Sequence, residues 1–275
     1  MSTLFLVATP IGNLEDTSAR AIRTLKEVGL IAAEDTRHTG KLLRHFEIKT
    51  PTTSYYDHNK GQKLSAVLNA LESGDVALVS DAGTPGLNDP GYLLVSAALE
   101  AGHQVSVIPG PSAPIAALVI SGLPTDKFIY LGYLPRKTSE RKKVVGEISA
   151  LPYTLIYFET PHRMDEALQD LEEILGDRRI AVAGELTKLY EEIFRGKISE
   201  ARQHFSAHPA RGEYTLVIEG QSKAGSRWDE DQLLAALEAS TGSDLSPSQL
   251  ARQLAEKSGW PRREVYNRLN KLRNK

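Results

Sequence analysis

"VALVSDAGTPGLNDPGYLLV", Val76 to Val95, decides how the first half of this chain folds. Val76-Ala77-Leu78-Val79 has the length and character of a buried strand, and Tyr92-Leu93-Leu94-Val95 opens a helix reaching about Ala101. Between them, Ser80 to Gly91 packs three glycines, two prolines and two aspartates into twelve positions. A plain reversal needs one Gly or Pro. A loop this rich in turn formers suits the close approach of a ligand to its backbone.

The same strand-then-helix rhythm extends outward from that stretch. Strands are expected at Leu4–Ala8, Leu30–Ala33, Thr52–Tyr56, Asp75–Ser80 and Gln104–Ile108. Helices are expected at Thr17–Val28, capped by Asp16 or Thr17, and at about Gly40–Phe46, Gln62–Glu72, Tyr92–Ala101 and Ala113–Ser121, the last closing the unit. Such alternation predicts a parallel sheet covered by helices on both faces. Leu123-Pro124-Thr125-Asp126 marks a domain boundary. Beyond it, strands at Phe128–Tyr133, Thr154–Phe158, Arg179–Ala183, Tyr214–Glu219 and a short one at Glu191–Arg195 alternate with helices near Ser139–Ser149, Arg163–Leu175 and Ile198–His204, which predicts a mixed sheet. Ser222 to Ser226 reads as a linker, followed by helices at Asp229–Ala239, Pro247–Lys257 and Pro261–Leu272. The last two, joined by Ser258-Gly259-Trp260, have the outline of a helix-turn-helix. The expected fold class is α/β, with a parallel-sheet domain over 1–122, a mixed-sheet domain over 123–221, and a linker with a small helical extension over 222–275.

Composition narrows the function. The chain has 275 residues, 41% apolar and 25% charged, as expected of a globular protein. The absence of cysteine excludes disulfides and thiolate metal sites and fits a reducing, cytoplasmic setting. No signal segment and no apolar run of membrane-spanning length occurs. The net charge of −2 is unevenly spread, with eight Lys/Arg against two Glu from Pro247 to Lys275. That tail suits a polyanion and equally suits a solvated helical face.

Ligands of open parallel sheets bind at the carboxyl ends of the strands. Those ends carry Thr9–Asn13, Glu34–His38, Tyr56–Asn59, the Ser80–Gly91 loop and Pro109–Ser112, five unusual loops along one edge. Neither GxxxxGK[ST] nor a GxGxxG after the first strand is present, and the seven histidines show no metal-ligand spacing, so no metal is expected.

"VATPIGNLEDTSARA", "IAAEDTRHTGKLL", "YYDHN", "LVSDAGTPGLNDPG", "PGPSA", "YFETPHR" and "GELTK" together resemble the bacterial small-subunit ribosomal RNA 2′-O-methyltransferases of the tetrapyrrole methylase superfamily, from about Leu4 to Gly220. The resemblance implies two α/β domains with S-adenosyl-L-methionine folded into the cleft between them. It assigns Pro10, Asp81, Ala82, Gly83 and Ser112 to the methionine side of that cofactor, and Phe158, Glu159, Leu186 and Thr215 to the adenosine side. Many superfamily members have a GDP-type tripeptide where this chain has Ala82-Gly83-Thr84-Pro85, a departure that bears on tetrapyrrole specificity. The acceptor implied is a cytidine ribose in the decoding region of 16S rRNA, in the small ribosomal subunit, modified by a cytoplasmic homodimer with no membrane role.

A ribose hydroxyl is a weak acid, so a base is useful. His58, ranked just ahead of Asp57, and Glu34 and Asp35 are the candidates. Arg37 or Arg163 could hold flanking phosphates, unless the Glu34–Arg37 stretch is merely braced by an internal ion pair. Arg136, Lys137, Arg141, Lys142 and Lys143 form one basic cluster, and Arg262, Arg263 and Arg268 another. Two other readings use the same residues: a methylase of a small tetrapyrrole, and a non-catalytic RNA-binding or assembly factor.

Overall fold

A computed structural model describes residues 2–56, 60–88, 91–208, 212–221, 228–240 and 245–273. Two compact units emerge, one of residues 1–146 with 154–219, the other of 147–153 with 220–275.

The larger unit opens with β1 (Thr3–Val7), α1 (Ala19–Glu27), β2 (Leu30–Ala33), α2 (Thr36–His45), β3 (Thr52–Ser54), α3 (Lys60–Ser73), β4 (Val76–Val79), α4 (Gly91–Glu100), β5 (Gln104–Ile108) and α5 (Ala113–Ile120). The five strands are parallel in the order β3-β2-β4-β1-β5. Every residue of β4 is buried, which is why its sequence is apolar without alternation: a parallel sheet is covered on both faces. Ala21 and Leu25 of α1 and Leu42 and Leu43 of α2 pack over Val7, Ile31, Ala77 and Val79. Val67 and Leu71 of α3 and Leu94 and Ala98 of α4 pack over Leu4, Ala32, Val76 and Leu78. Adjacent strands β1 and β4 therefore send their following helices to opposite faces, and a crevice opens at their carboxyl ends.

Next come β6 (Phe128–Tyr133), α6 (Thr138–Ile148), β7 (Thr154–Glu159), α7 (Met164–Leu175), β8 (Arg179–Gly184), β9 (Glu192–Lys197), α8 (Ile198–Ala207) and β10 (Tyr214–Ile218). Their sheet is mixed, ordered β6-β7-β10-β8-β9, with only β6 and β7 parallel. Helix α5 belongs here: Ala117 and Leu118 pack against Ile156, Ala181, Ala183 and Val217. The sequence placed it as the closing helix of the first sheet. It is apolar nearly all round, and α1 to α4 already fill both faces of that sheet, so its apolar surface is buried on the second.

Two helix starts also differ from expectation. Ser18 caps α1 by accepting from Ala21 N, while Leu14–Asp16 forms a separate 3-10 turn. Asp35 caps α2, so the supposed Glu34–His38 loop is a strand end followed by the first helical turn. The polar run Thr36-Arg37-His38 hides that turn from a reading based on apolar spacing.

The smaller unit contains α9 (Glu230–Ala239), α10 (Pro247–Ser258) and α11 (Arg262–Arg273) around Leu233, Leu237, Leu250, Ala251, Leu254, Val265 and Leu269. Asp229 with Gln232 and Ser246 with Gln249 form capping boxes at the starts of α9 and α10. Gly259, left-handed at φ +69°, ends α10 and sets the turn into α11. Among the described residues, no helix is long and apolar enough to cross a membrane.

Candidate active site

The loops leaving β1 and β4 are stitched together where the crevice opens. Thr9 N donates to Gly83 O at 2.9 Å, Gly83 N donates back to Thr9 O at 3.0 Å, and Thr9 Oγ1 donates to Ser80 O at 3.1 Å. Gly83 holds φ +81°, a conformation an L side chain enters only with strain. The end of β2 joins the same brace. Asp81 N donates to Glu34 Oε2 at 3.1 Å, and Asp35 N donates to Asp81 Oδ1 at 3.0 Å. The amides of Asp81 and Gly83 are thus committed to protein acceptors, which argues against the phosphate cradle that a glycine-rich loop usually forms.

A cavity of about 640 Å³ lies in front of this brace, walled on its other side by the second sheet. Pro10, Asp81, Ala82, Gly83 and Ser112 line it from the first sheet's loops, and Phe158, Leu186 and Thr215 line it from the second. Glu159 is different. It is fully buried, accepts from Thr160 N at 2.7 Å and pairs with Arg163 at 3.1 Å, so it stands behind the wall. Burial pushes its carboxyl pKa up, against the pull of Thr160 N–H and the Arg163 guanidinium.

The candidate catalytic residues separate likewise. Glu34 lines the cavity. Asp35 and Arg37 do not; they pair with each other at 2.7 Å, with the Arg37 side chain 89% exposed. The internal ion pair of this segment is therefore Asp35–Arg37 rather than Glu34–Arg37. Asp57 and His58 lie outside the described residues. Arg163 donates to Leu134 O at 2.6 Å and to Pro135 O, which commits its guanidinium to the protein. The basic cluster before α7 is largely neutralised. Arg141 is buried against Asp170 at 2.6 Å, Lys142 bonds Glu173 at 2.6 Å, and Lys137 bonds Glu140 at 3.0 Å.

An aromatic wall escaped the sequence reading. Tyr130 and Tyr133 both line the cavity and both pack against Phe158, with ring centroids 5.4 and 5.3 Å apart. Residues three apart on a regular strand face opposite ways. Here β6 pairs Tyr130 with Ile156 and Tyr133 with Phe158, so an extra residue bulges between them and turns both tyrosines to one face. Gly132, at φ +67°, makes the bulge. A glycine set between aromatics inside a strand was the available signal. Burial and the neighbouring Glu213 push the Tyr133 phenol up to about 12, so both it and Tyr130, also raised by burial, stay neutral.

Among the described residues, four carboxylates, Glu34, Asp81, Glu185 and Glu213, line the cavity against one lysine, Lys188, which bonds Glu185 at 2.7 Å. Such a wall favours a cationic, partly aromatic ligand over a polyanion. Among the described residues, no group of three or more His, Asp or Glu side chains is arranged to hold a metal.

Known proteins resemble the chain at two levels. A match to the Tetrapyrrole (Corrin/Porphyrin) Methylases spans residues 3–202. The chain is 46% identical over 269 residues to the Ribosomal RNA small subunit methyltransferase I of Synechocystis sp., covering 97% of this chain and 96% of that protein. It is 43% identical over 272 residues to the protein of the same name in Halalkalibacterium halodurans, covering 96% and 93% respectively. Among solved structures, diphthine synthase shares the fold with a TM-score of 0.63 at 13% identity, over 80% of this chain and 90% of that one. With the family match across most of its length and relatives at this identity, the chain belongs to the tetrapyrrole methylase family.

Proposed function

We propose that this protein transfers a methyl group from S-adenosyl-L-methionine to the 2′-hydroxyl of a cytidine in the decoding region of 16S rRNA, within the small ribosomal subunit. The observation that carries the reading is the near-full-length likeness to a protein named as a ribosomal RNA small subunit methyltransferase. When bound, the cofactor supplies a methyl group on a positively charged sulfonium. The acidic and aromatic lining of the cavity fits such a ligand, and the committed amides of Asp81 and Gly83 fit it better than a phosphate. Asp81, Gly83, Pro10 and Ser112 would hold its methionine part, and Phe158, Leu186 and Thr215 its adenosine. Glu159 serves from behind as a positioning residue, fixing the Thr160–Arg163 turn through its bonds to both.

The chain's own contribution is alignment and proton removal. Holding donor and acceptor in line contributes about 7–11 kcal/mol in well-oriented reactions. Glu34, on the cavity wall, and His58 with Asp57 are the groups proposed to accept the hydroxyl proton, a role that contributes about 10²–10⁴-fold. The proposed domains 1–122 and 123–221 form the two sides of the cleft, with α5 of the first packed on the sheet of the second. The exposed apolar residues Tyr92 and Leu99 of α4, Val107 of β5, and Ile115 and Val119 of α5 support a homodimer, and the cysteine-free sequence is in keeping with the cytoplasm.

Purified small subunits lacking the modification, incubated with the protein and cofactor, should gain one 2′-O-methyl group at a decoding-region cytidine. Label entering a porphyrin-type acceptor alone would overturn the reading. Calorimetry showing no cofactor binding would favour an assembly factor instead. His58→Ala and Glu34→Gln should lower kcat with cofactor affinity retained, and normal turnover in either removes that residue as the base.

A further inference from the structure

Among the described residues, those lining the cavity belong to the larger unit; the charge of the smaller unit is sharply segregated. Asp229, Glu230, Asp231 and Glu238 make α9 acidic, whereas residues 247–273 hold seven Lys/Arg and two Glu. Within that basic pair of helices, two of the expected cations are engaged inside the unit. Arg262 donates to Ser248 Oγ at 2.8 Å, and Arg268 pairs with Glu230 while stacking on Trp260 at 4.8 Å.

Arg252 and Lys257 lie on α10, and what remains on α11 is one side of the helix. Val265 and Leu269 are fully buried, and Trp260 and Leu272 pack against the same core. Arg263, Tyr266, Asn267, Asn270 and Lys271 fall on the opposite arc at spacings of three and four residues, which puts them side by side on the helix surface. All but the half-buried Asn270 are exposed, and none of these side chains bonds to another described residue. Tyr266 is 38% exposed in the middle of them. Two cations, two amides and a ring on one solvated face form neither an apolar docking stripe nor a plain solubilising surface. They match the components that bind unpaired RNA: cations for phosphates, a ring on which a base stacks, and amides for the edges of splayed bases.

We propose that this face of α11 binds a single-stranded or looped segment of RNA. The inference rests on the RNA reading above and adds the surface and the form of the RNA. A continuous duplex is a poor occupant, because the deep, narrow major groove of A-form RNA admits no helix.

The test uses the full chain, isolated small ribosomal subunits and a decoding-region 16S rRNA fragment, with filter binding across a salt series. Tyr266→Ala should weaken binding about tenfold, while Tyr266→Phe, which keeps the ring, binds like the original. Arg263→Ala with Lys271→Ala should lower the slope of log affinity against log salt by about 1.4, as expected for two single-strand phosphate contacts. In each weakened variant KM for the RNA rises by the factor lost in binding, with kcat, melting temperature and cofactor affinity unchanged. Unaltered affinity and slope in the variants would overturn the proposal. So would equal damage from Phe and Ala at position 266, or equal binding of a DNA of the same sequence. Intact RNA binding through this face without methyl transfer would defeat the proposed activity and leave the surface standing; methyl transfer with unaltered variants would do the reverse.

Discussion

Gly12 is a tight point at which the first sheet's loops meet the second sheet, and replacing it tests how the cavity wall is held. A Cβ at position 12 would lie 2.5 Å from Lys188 Cγ, 2.7 Å from Leu186 O and 2.8 Å from Thr187 Oγ1. The lysine stem can swing aside; the Leu186 carbonyl is backbone and cannot. Thr187 Oγ1 also accepts from Asn13 N at 3.1 Å, a bond that the displacement would break. Overpacking costs about 1–3 kcal/mol, and a lost hydrogen bond about 0.5–1.5 kcal/mol. Because Gly12 is exposed and its loop can yield, we expect about 2 kcal/mol for Gly12→Ala. At about 2–4 °C per kcal/mol for a unit of this size, the melting temperature should fall by about 4–8 °C. Gly146, exposed on α6, is the matched control: a Cβ there meets nothing within 4 Å. Gly146→Ala should stabilise by about 0.5–1 kcal/mol through helix propensity alone. Leu186 and Lys188 line the cavity, so Gly12→Ala should also weaken cofactor binding in calorimetry whereas Gly146→Ala should not. A Gly12→Ala protein that melts with or above the parent would refute the reasoning.

Three further substitutions probe other parts of the structure. Gly132→Ala puts a side chain at φ +67° and against Asn88, so a cost of at least about 1–2 kcal/mol is expected, with a changed near-ultraviolet tyrosine spectrum as Tyr130 and Tyr133 leave their common face. Arg141→Ala leaves the buried Asp170 carboxylate with only the longer Lys142 contact at 3.6 Å and should cost about 3 kcal/mol in urea unfolding, while Arg141→Met with Asp170→Leu should recover most of it. The Arg37 guanidinium and backbone N–H hold the Asp35 carboxyl well below the usual carboxylate range. A depressed pKa stabilises the fold above the ordinary aspartate value and the benefit is lost as pH falls through the folded value. The acid limb of a stability-against-pH curve should therefore be flatter in Asp35→Asn, most clearly at low salt because the pair is exposed.

The sequence was legible where one residue's environment follows from its near neighbours. Strands β5 and β6 fall at their expected residues because alternation and flanking turn residues are local signals. The loops at the carboxyl ends of β1 and β4 were equally legible, since concentrations of glycine and proline at strand ends have few other uses. The start of α2 was not, because its first turn is polar and its cap, Asp35, also reads as a charged loop residue. Nor was the packing of α5. An all-round apolar helix carries no record of which sheet covers it, and only the prior occupation of the first sheet's faces decides the matter.

Charge is where local reading fails most instructively. Arg141, Lys142 and Lys143 look like a polyanion site as a run, but Asp170 and Glu173, about one helix further along the chain, neutralise two of the three. A basic run in sequence counts cations; the surface depends on which acids the fold brings opposite them, and those partners come from another element. The same correction, applied to the C-terminal helices, removes Arg268 and engages Arg262; setting aside Arg252 and Lys257 of α10, it leaves Arg263 and Lys271 on a face of α11 whose other members are an aromatic ring and two amides. Subtracting paired charges thus moves the proposed RNA surface off the cluster that looked strongest by count. It leaves a face with fewer cations, and the residues kept there are of the types that bind bases as well as phosphates.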